Sequence, residues 1–144
     1  METELMCRVL TPVTIYNLHD LFEVRQGRMT QENARKIEVP NALVDTGATS
    51  LCLTPSLIKQ LGLVKRAEKR TLTAAGIANV NLYDTVRIEI MGRDAACDPI
   101  EVPEGNPVLV GQIPLEAMDW VVDMRDHRLI GNPAHNGEHV IEMY

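Results

Sequence analysis

The feature that most constrains this chain is an abrupt change of chemistry within residues 41–50, Asn-Ala-Leu-Val-Asp-Thr-Gly-Ala-Thr-Ser. Ala42, Leu43 and Val44 form a short apolar run that stops at the carboxylate of Asp45, followed by Thr46, Gly47 and Ala48. An unpaired charge at the edge of a core is costly. Asp45 therefore needs a cage of hydrogen bonds, a chemical task, or both.

The rest of the chain reads as a frame for that acid. Its 144 residues are enough for a core, and its 45% apolar and 24% charged fractions are ordinary for a globular chain. We expect one domain over residues 1–144, with its core at about 8–131 and a tail at 132–144. Aromatics are only 3%, so aliphatic side chains must do the packing. A net charge of −6 with no Lys/Arg block argues against a nucleic-acid surface. Cys7, Cys52 and Cys97 are odd in number and form no Cys-x-x-Cys pair, which predicts reduced thiols rather than a disulfide frame. The acidic start Met1-Glu2-Thr3-Glu4 and the lack of a long apolar run predict a cytoplasmic, non-membrane protein.

Apolar periodicity predicts mostly strands. Residues 8–17 are β-rich, with Pro12 marking an edge or a bulge. Residues 18–25 resemble a second strand piece, 26–36 allow a short helix capped by Thr30, and 37–44 form the strand that delivers Asp45. Thr54 as N-cap, Pro55 at the first helical position and Gly62 as stop predict a helix between them. Val80, Leu82, Val86, Ile88 and Ile90 share one parity, predicting a half-buried strand with residues 69–73 as antiparallel partner and residues 74–78 as hairpin tip. A turn at 91–94, a strand near 95–102, a loop at 103–106 and a buried strand at 107–111 follow. Residues 113–118 allow one or two helical turns, and 120–123 with 128–130 predict a hairpin around Arg125 and Asp126.

Asp-Thr-Gly alone is a weak signal, because Asp and Gly are ordinary turn residues. Its order is more specific: an apolar strand, Asp45-Thr46-Gly47-Ala48, a capped helix, a small-residue hairpin, then Leu109-Val110-Gly111. This set resembles the retropepsin-like (clan AA) aspartic proteases, closest to the bacterial single-lobe, retroviral-protease-like members, over roughly residues 13–130. The resemblance implies a mainly β, closed, barrel-like pepsin-type lobe with two or three short helices. It implies an aspartic endopeptidase in which Asp45 is the catalytic acid, Thr46 locks two catalytic loops together, and Gly47 lets backbone approach acid and substrate. Residues 74–78 sit where the family carries its flap, so Ala74, Ala75, Gly76 and Ile77, with Ala48, are the implied contacts to an extended peptide or protein substrate. Leu109-Val110-Gly111 matches the element that packs beneath the catalytic loop. The chemistry needs two carboxylates around a water, and the chain has one such motif. The resemblance thus implies a homodimer with one Asp45 from each copy, no metal and no cofactor.

The chain departs from the family pattern at Gln112-Ile113, where members often carry Arg and an acid or amide, and at Thr49, where viral members often carry an acid. The mode of dimerisation is open at that point, and Val140-Ile141 is a candidate for an intersubunit strand. Ala48 has no hydroxyl to stabilise a charged dyad, which predicts an optimum of about pH 5–6.5. His135 and His139 flank Glu138 with a spacing reminiscent of metal ligands, but Asn136-Gly137 is a turn pair, and a solvated tail is the simpler expectation. His19 and His127 are expected in exposed turns, and Lys65, Arg66, Lys69 and Arg70 around Glu68 on a solvated face. A non-catalytic peptide-binding or dimerisation module of the same fold is the alternative function.

Overall fold

The computed structural model describes residues 8–143; Cys7 and the acidic start lie outside the described residues. Strands make up 44% of the structure, with three helices, so the chain is mainly β. In chain order the elements are β1 (Val9–Asn17), α1 (Leu18–Arg25), β2 (Lys36–Val44), β3 (Leu51–Leu53), α2 (Pro55–Leu61), β4 (Lys65–Thr73) and β5 (Gly76–Tyr83). They continue as β6 (Val86–Ile90), β7 (Arg93–Cys97), β8 (Ile100–Glu101), β9 (Leu109–Val110), α3 (Gln112–Ala117), β10 (Trp120–Asp123) and β11 (Arg128–Gly131).

Strands β1 to β9 form one sheet in the order β4-β5-β8-β3-β9-β2-β1-β6-β7, while β10 pairs with β11 alone. Among the described residues no pairing joins β4 to β7, so the strand ladder is open rather than closed into a barrel. β1 shows how the sheet reads out the sequence. Val9, Thr11, Val13, Ile15 and Asn17 are its buried residues, at every second position. Pro12 cannot donate to a ladder, and the register against β2 shifts there, as a bulge. Ile15, Leu51, Leu53, Leu61, Ile88, Ile90 and Leu115 are all at least 99% buried and join strands and helices into one core. Each contributes about 1.5–3 kcal/mol of apolar burial.

Three sequence expectations are corrected. Residues 18–25 are helical, not extended: the Asn17 side chain accepts from Asp20 N (3.0 Å) as an N-cap. Asp20, 1% exposed, then turns inward to take Arg35 Nε (2.7 Å), Arg35 Nη2 (3.0 Å) and Arg35 N (2.9 Å). The strand expected across Val80–Ile90 is two strands that separate at Asp84-Thr85, β5 pairing with β4 and β8 and β6 with β1 and β7. Likewise 95–102 divides at Asp98-Pro99 into β7 and β8, and β7 already begins at Arg93.

The helix after the motif is where its end signals place it, with Pro55 at its start and Gly62 ending it in the left-handed region (φ 65°). Thr54 occupies the cap position without capping: its hydroxyl lies 3.3 Å from Ser56 Oγ, and Ser56 N donates instead to Glu104 Oε1 (2.6 Å). Thr30 similarly precedes a single 3₁₀ turn, Gln31–Asn33, with no side-chain cap bond. The β10–β11 hairpin forms as expected. After it comes a 3₁₀ turn, Pro133–His135, and residues 138–143 form no strand.

Candidate active site

Asp45 sits where two chain crossings meet. β2 and β9 run parallel, with Leu43 beside Leu109 and Val44 beside Val110, and β3 returns antiparallel on the other side of β9. The 45–50 loop must therefore step from β2 to β3 over the end of β9. Backbone hydrogen bonds clamp it there. Asp45 N donates to Val110 O (3.0 Å), and Ala48 N to Asp45 O (3.0 Å). From below, Gly111 N donates to Ser50 O (2.9 Å), Gln112 N to Ala48 O (2.8 Å) and Ile113 N to Thr49 O (2.9 Å). The last two are among the first N–H groups of α3, which no helical carbonyl can satisfy. The loop carbonyls satisfy them, so the helix start and the Asp45 loop are built from each other.

Gly111 makes this possible. A Cβ there would lie 2.5 Å from Ser50 O and 2.6 Å from Ala48 O, inside backbone atoms. Leu109-Val110-Gly111 does pack beneath the Asp45 loop. Gly47 is the other close approach: its N–H donates to Asp45 Oδ1 (2.9 Å), and a Cβ on it would meet that oxygen at 3.2 Å.

The Asp45 carboxylate is half-buried, and among the described residues its hydrogen bond to Gly47 N is its only one and it has no ion-pair partner. Thr46 and Gly47 are exposed beside it, Ala48 is half-buried, and the Thr46 hydroxyl has no hydrogen bond within the described residues. Buried Cys52 stands close enough that the Asp45 charge adds to burial in raising its thiol pKa. Such a thiol stays protonated and unreactive, and Cys52 and Cys97 are both free.

Ala74 and Ala75 form the turn of the β4–β5 hairpin, and Ala74, Ala75, Gly76 and Ile77 are all exposed. The tip is held by one side chain: the Thr73 hydroxyl donates to Gly76 O (2.8 Å) and accepts from Ala75 N (3.2 Å). Leu72 and Ile77, paired across the hairpin, are 82% and 63% exposed, so the outer hairpin carries apolar surface that its own lobe does not cover. At the root of the hairpin a cavity of about 440 Å³ opens between Thr49 and Ser50 of the Asp45 loop, Lys69 and Leu82 of the hairpin, and Asp98 and Ile113. Lys65, Arg66, Lys69 and Arg70 are exposed, as expected; the cavity itself is not legible in the sequence, because its walls come from segments far apart in the chain. Lys69 shares the parity of half-buried Ala67 and Thr71 along β4 and, although exposed, borders the cavity.

The tail is not simply solvated. The side chain of His135 is 13% exposed and lies between two acids, Nδ1 at 2.6 Å from Asp119 Oδ2 and Nε2 at 2.6 Å from Glu142 Oε1. The turn Pro133–His135 points it back at the lobe. His139 Nε2 is 3.2 Å from Ala117 O. Among the described residues no group of His, Cys, Asp and Glu has the arrangement of a metal site. His19 is exposed but on α1, and His127, half-buried with φ 51°, lies in the β10–β11 turn.

The lobe thus carries a half-buried aspartate, with no ion-pair partner among the described residues, in a backbone-clamped Asp-Thr-Gly loop. The family model described as aspartyl protease matches residues 32–112, which include the loop, the hairpin and the Gly111 element. The chain belongs to that family, a retropepsin-like aspartyl protease family of clan AA. No curated protein matches the chain. No helix among the described residues is long and apolar enough to cross a membrane.

Proposed function

We propose that the protein is an aspartic endopeptidase that works as a homodimer, cleaving extended segments of peptide or protein. The observation that carries this reading is the state of Asp45: fixed in position by backbone, yet without a cation among the described residues and with carboxylate oxygen left over. One lobe supplies one acid, so the reaction needs a second copy. Two Asp45 carboxylates brought together cannot both ionise, and one keeps a proton. The ionised one takes a proton from the water as its oxygen bonds the peptide carbonyl carbon, and the protonated one donates to the carbonyl oxygen. When the C–N bond breaks, the nitrogen takes the dyad's proton and leaves as an amine, while one hydroxyl of the tetrahedral diol returns its proton to the dyad and the other fragment leaves as a carboxylic acid.

Around that dyad Thr46, exposed and without a hydrogen bond from its hydroxyl among the described residues, would bridge to the opposite loop. Ala48 and the backbone of Ala74, Ala75, Gly76 and Ile77 would hold the substrate as an added strand, the hairpin closing over it as a flap. The whole chain would act as one domain in the cytoplasm, with neither metal nor cofactor. Since Ala48 leaves the dyad without an extra hydroxyl donor, the activity optimum is expected at about pH 5–6.5.

The test is cleavage of a peptide library at several pH values by the wild type and by Asp45→Asn, with sedimentation to follow association. Turnover by the wild type alone, from a dimer, supports the reading. Equal turnover by both proteins removes Asp45 from the chemistry, and binding without turnover by either leaves a peptide-binding module of the same fold.

A further inference from the structure

We infer that the cavity beside the Asp45 loop is a subsite for an acidic side chain, above all glutamate, of the bound peptide, and that Lys69 selects it. The inference rests on the proposed peptide-binding groove and adds the substrate class. Its support is the hydrogen bonding of the polar groups that line the cavity. Asp98 is already satisfied: Oδ2 accepts from Arg66 Nη2 (2.8 Å) and Oδ1 from Thr85 Oγ1 (2.6 Å). Ser50 Oγ is spent on Asp98 O (2.7 Å). Among the described residues the Lys69 ammonium has no ion pair and the Thr49 hydroxyl no hydrogen bond. The remaining walls include Leu82, Ala96, Ile100 and Ile113.

A cavity with apolar walls, a cation and a neutral hydroxyl to spare fits a side chain with an aliphatic stem and an anionic end. A lysine or arginine there would meet Lys69 with no free acid to offset it, since Arg66 and Thr85 already occupy Asp98. Position supports a substrate role: Thr49 and Ser50 follow Asp45 by only a few residues, and Lys69 stands on the hairpin strand proposed to cover the peptide. Of the other cations of this strand, Lys65 is held by Glu68 (2.5 Å) and Arg66 by Asp98, while Arg70 is exposed and does not line the cavity.

Two measurements test this apart from the cleavage reading. A positional-scanning peptide library cleaved by the wild type should show one position at which Glu and Asp exceed Gln and Lys by about three- to tenfold, with the ratio falling as salt rises. Fluorescence anisotropy with the Asp45→Asn protein should show the same ratio in binding, where no cleavage is needed. Lys69→Met should flatten the ratio, Lys69→Arg keep it, and Lys69→Glu turn it toward Lys and Arg. An acid preference in binding without cleavage by the wild type upholds the subsite and ends the protease reading. Cleavage with no acid preference, or a preference unmoved in Lys69→Glu, overturns the subsite and leaves the protease reading standing. Neither binding nor cleavage overturns both.

Discussion

Two aspartates at the ends of strands have opposite surroundings in this lobe. Asp119, just before β10, is 8% exposed and saturated: it takes Asn132 Nδ2 (3.1 Å), Val140 N (3.1 Å) and His135 Nδ1 (2.6 Å). The His135 hydrogen bond is the main reason its pKa falls to about 2. Asp45, just after β2, is half-buried and takes one N–H from its own loop. A saturated carboxylate held that low is a fixed anion and cannot pass a proton at mild pH. One that keeps oxygen free and meets no cation can hold a water or a second acid. On the proposed reading, what separates the structural aspartate from the catalytic one is which lone pairs the fold leaves unspent.

That contrast breaks most sharply by mutation. Asp45→Asn should lower turnover by about 10²–10⁴-fold or more while leaving the melting temperature near that of the wild type. Asp119→Asn should do the reverse, lowering the melting temperature and exposing residues 136–143 to protease with turnover within a few-fold. If Asp119→Asn removed activity as thoroughly as Asp45→Asn, the division of labour would be wrong. The two glycines sharpen the same comparison. Gly111→Ala forces a Cβ into Ser50 and Ala48 backbone and should destabilise by about 1–3 kcal/mol in denaturant unfolding. Gly47→Ala meets only Asp45 Oδ1, at 3.2 Å; it should leave stability within about 0.5 kcal/mol and reduce turnover, because it displaces the acid rather than the sheet.

These expectations also mark what the sequence could disclose. The strand into Asp45, the helix from Pro55 to Leu61 and the β4–β5 hairpin carry their signals locally, in alternation, in Pro55 and Gly62, and in small residues at a tip. Residues 18–25 read as strand from the sequence because Leu18, Leu21, Phe22 and Val24 over eight residues suit either period; the deciding group is Asn17, just outside the run. The ion pairs were invisible for another reason. Asp20 with Arg35 and Asp119 with His135 are 15 and 16 residues apart, a separation at which no periodicity links them. The open strand order depends on which strands pair across β3 and β9, each only two or three residues long, too short to announce their partners.

Asp20 offers a test of intermediate size. Its carboxylate is nearly inaccessible but Arg35 is 48% exposed, so solvent screens part of the attraction. Asp20→Asn keeps the shape, loses the charge-assisted pair and should cost about 1–3 kcal/mol, with little change in turnover because α1 packs chiefly on β1 and the Gln31–Asn33 turn. A loss of turnover equal to that of Asp45→Asn would mean that Asp20 also serves the chemistry.

The smallest effect concerns how the tail holds on, and its sign follows from two opposed shifts. His135 is raised from its ordinary 6.5, first by its hydrogen bond to Asp119 and then by Glu142. Its contribution is complete below pH 6.5 and is lost as pH rises through the raised value. Asp119, lowered from 3.8 to about 2, contributes fully above 3.8 and loses its share as pH falls toward 2. Arg93 also fastens this corner, donating to Met118 O (3.2 Å), Asp119 O (2.9 Å) and Gly137 O (2.5 Å), and Glu116 and His139 lie nearby. The tail is therefore fastened most firmly between about pH 4 and 6.5, the range that contains the proposed optimum. Hydrogen exchange at the Val140 amide, corrected for intrinsic rate, should show greatest protection in that range and a decline above it. His135→Gln should flatten the decline on the alkaline side and leave the acid side in place. Equal protection at pH 5 and pH 9 would show that Asn132, Arg93 and the backbone hold the tail without His135, and the contrast between Asp119 and Asp45 would then rest on hydrogen bonding alone.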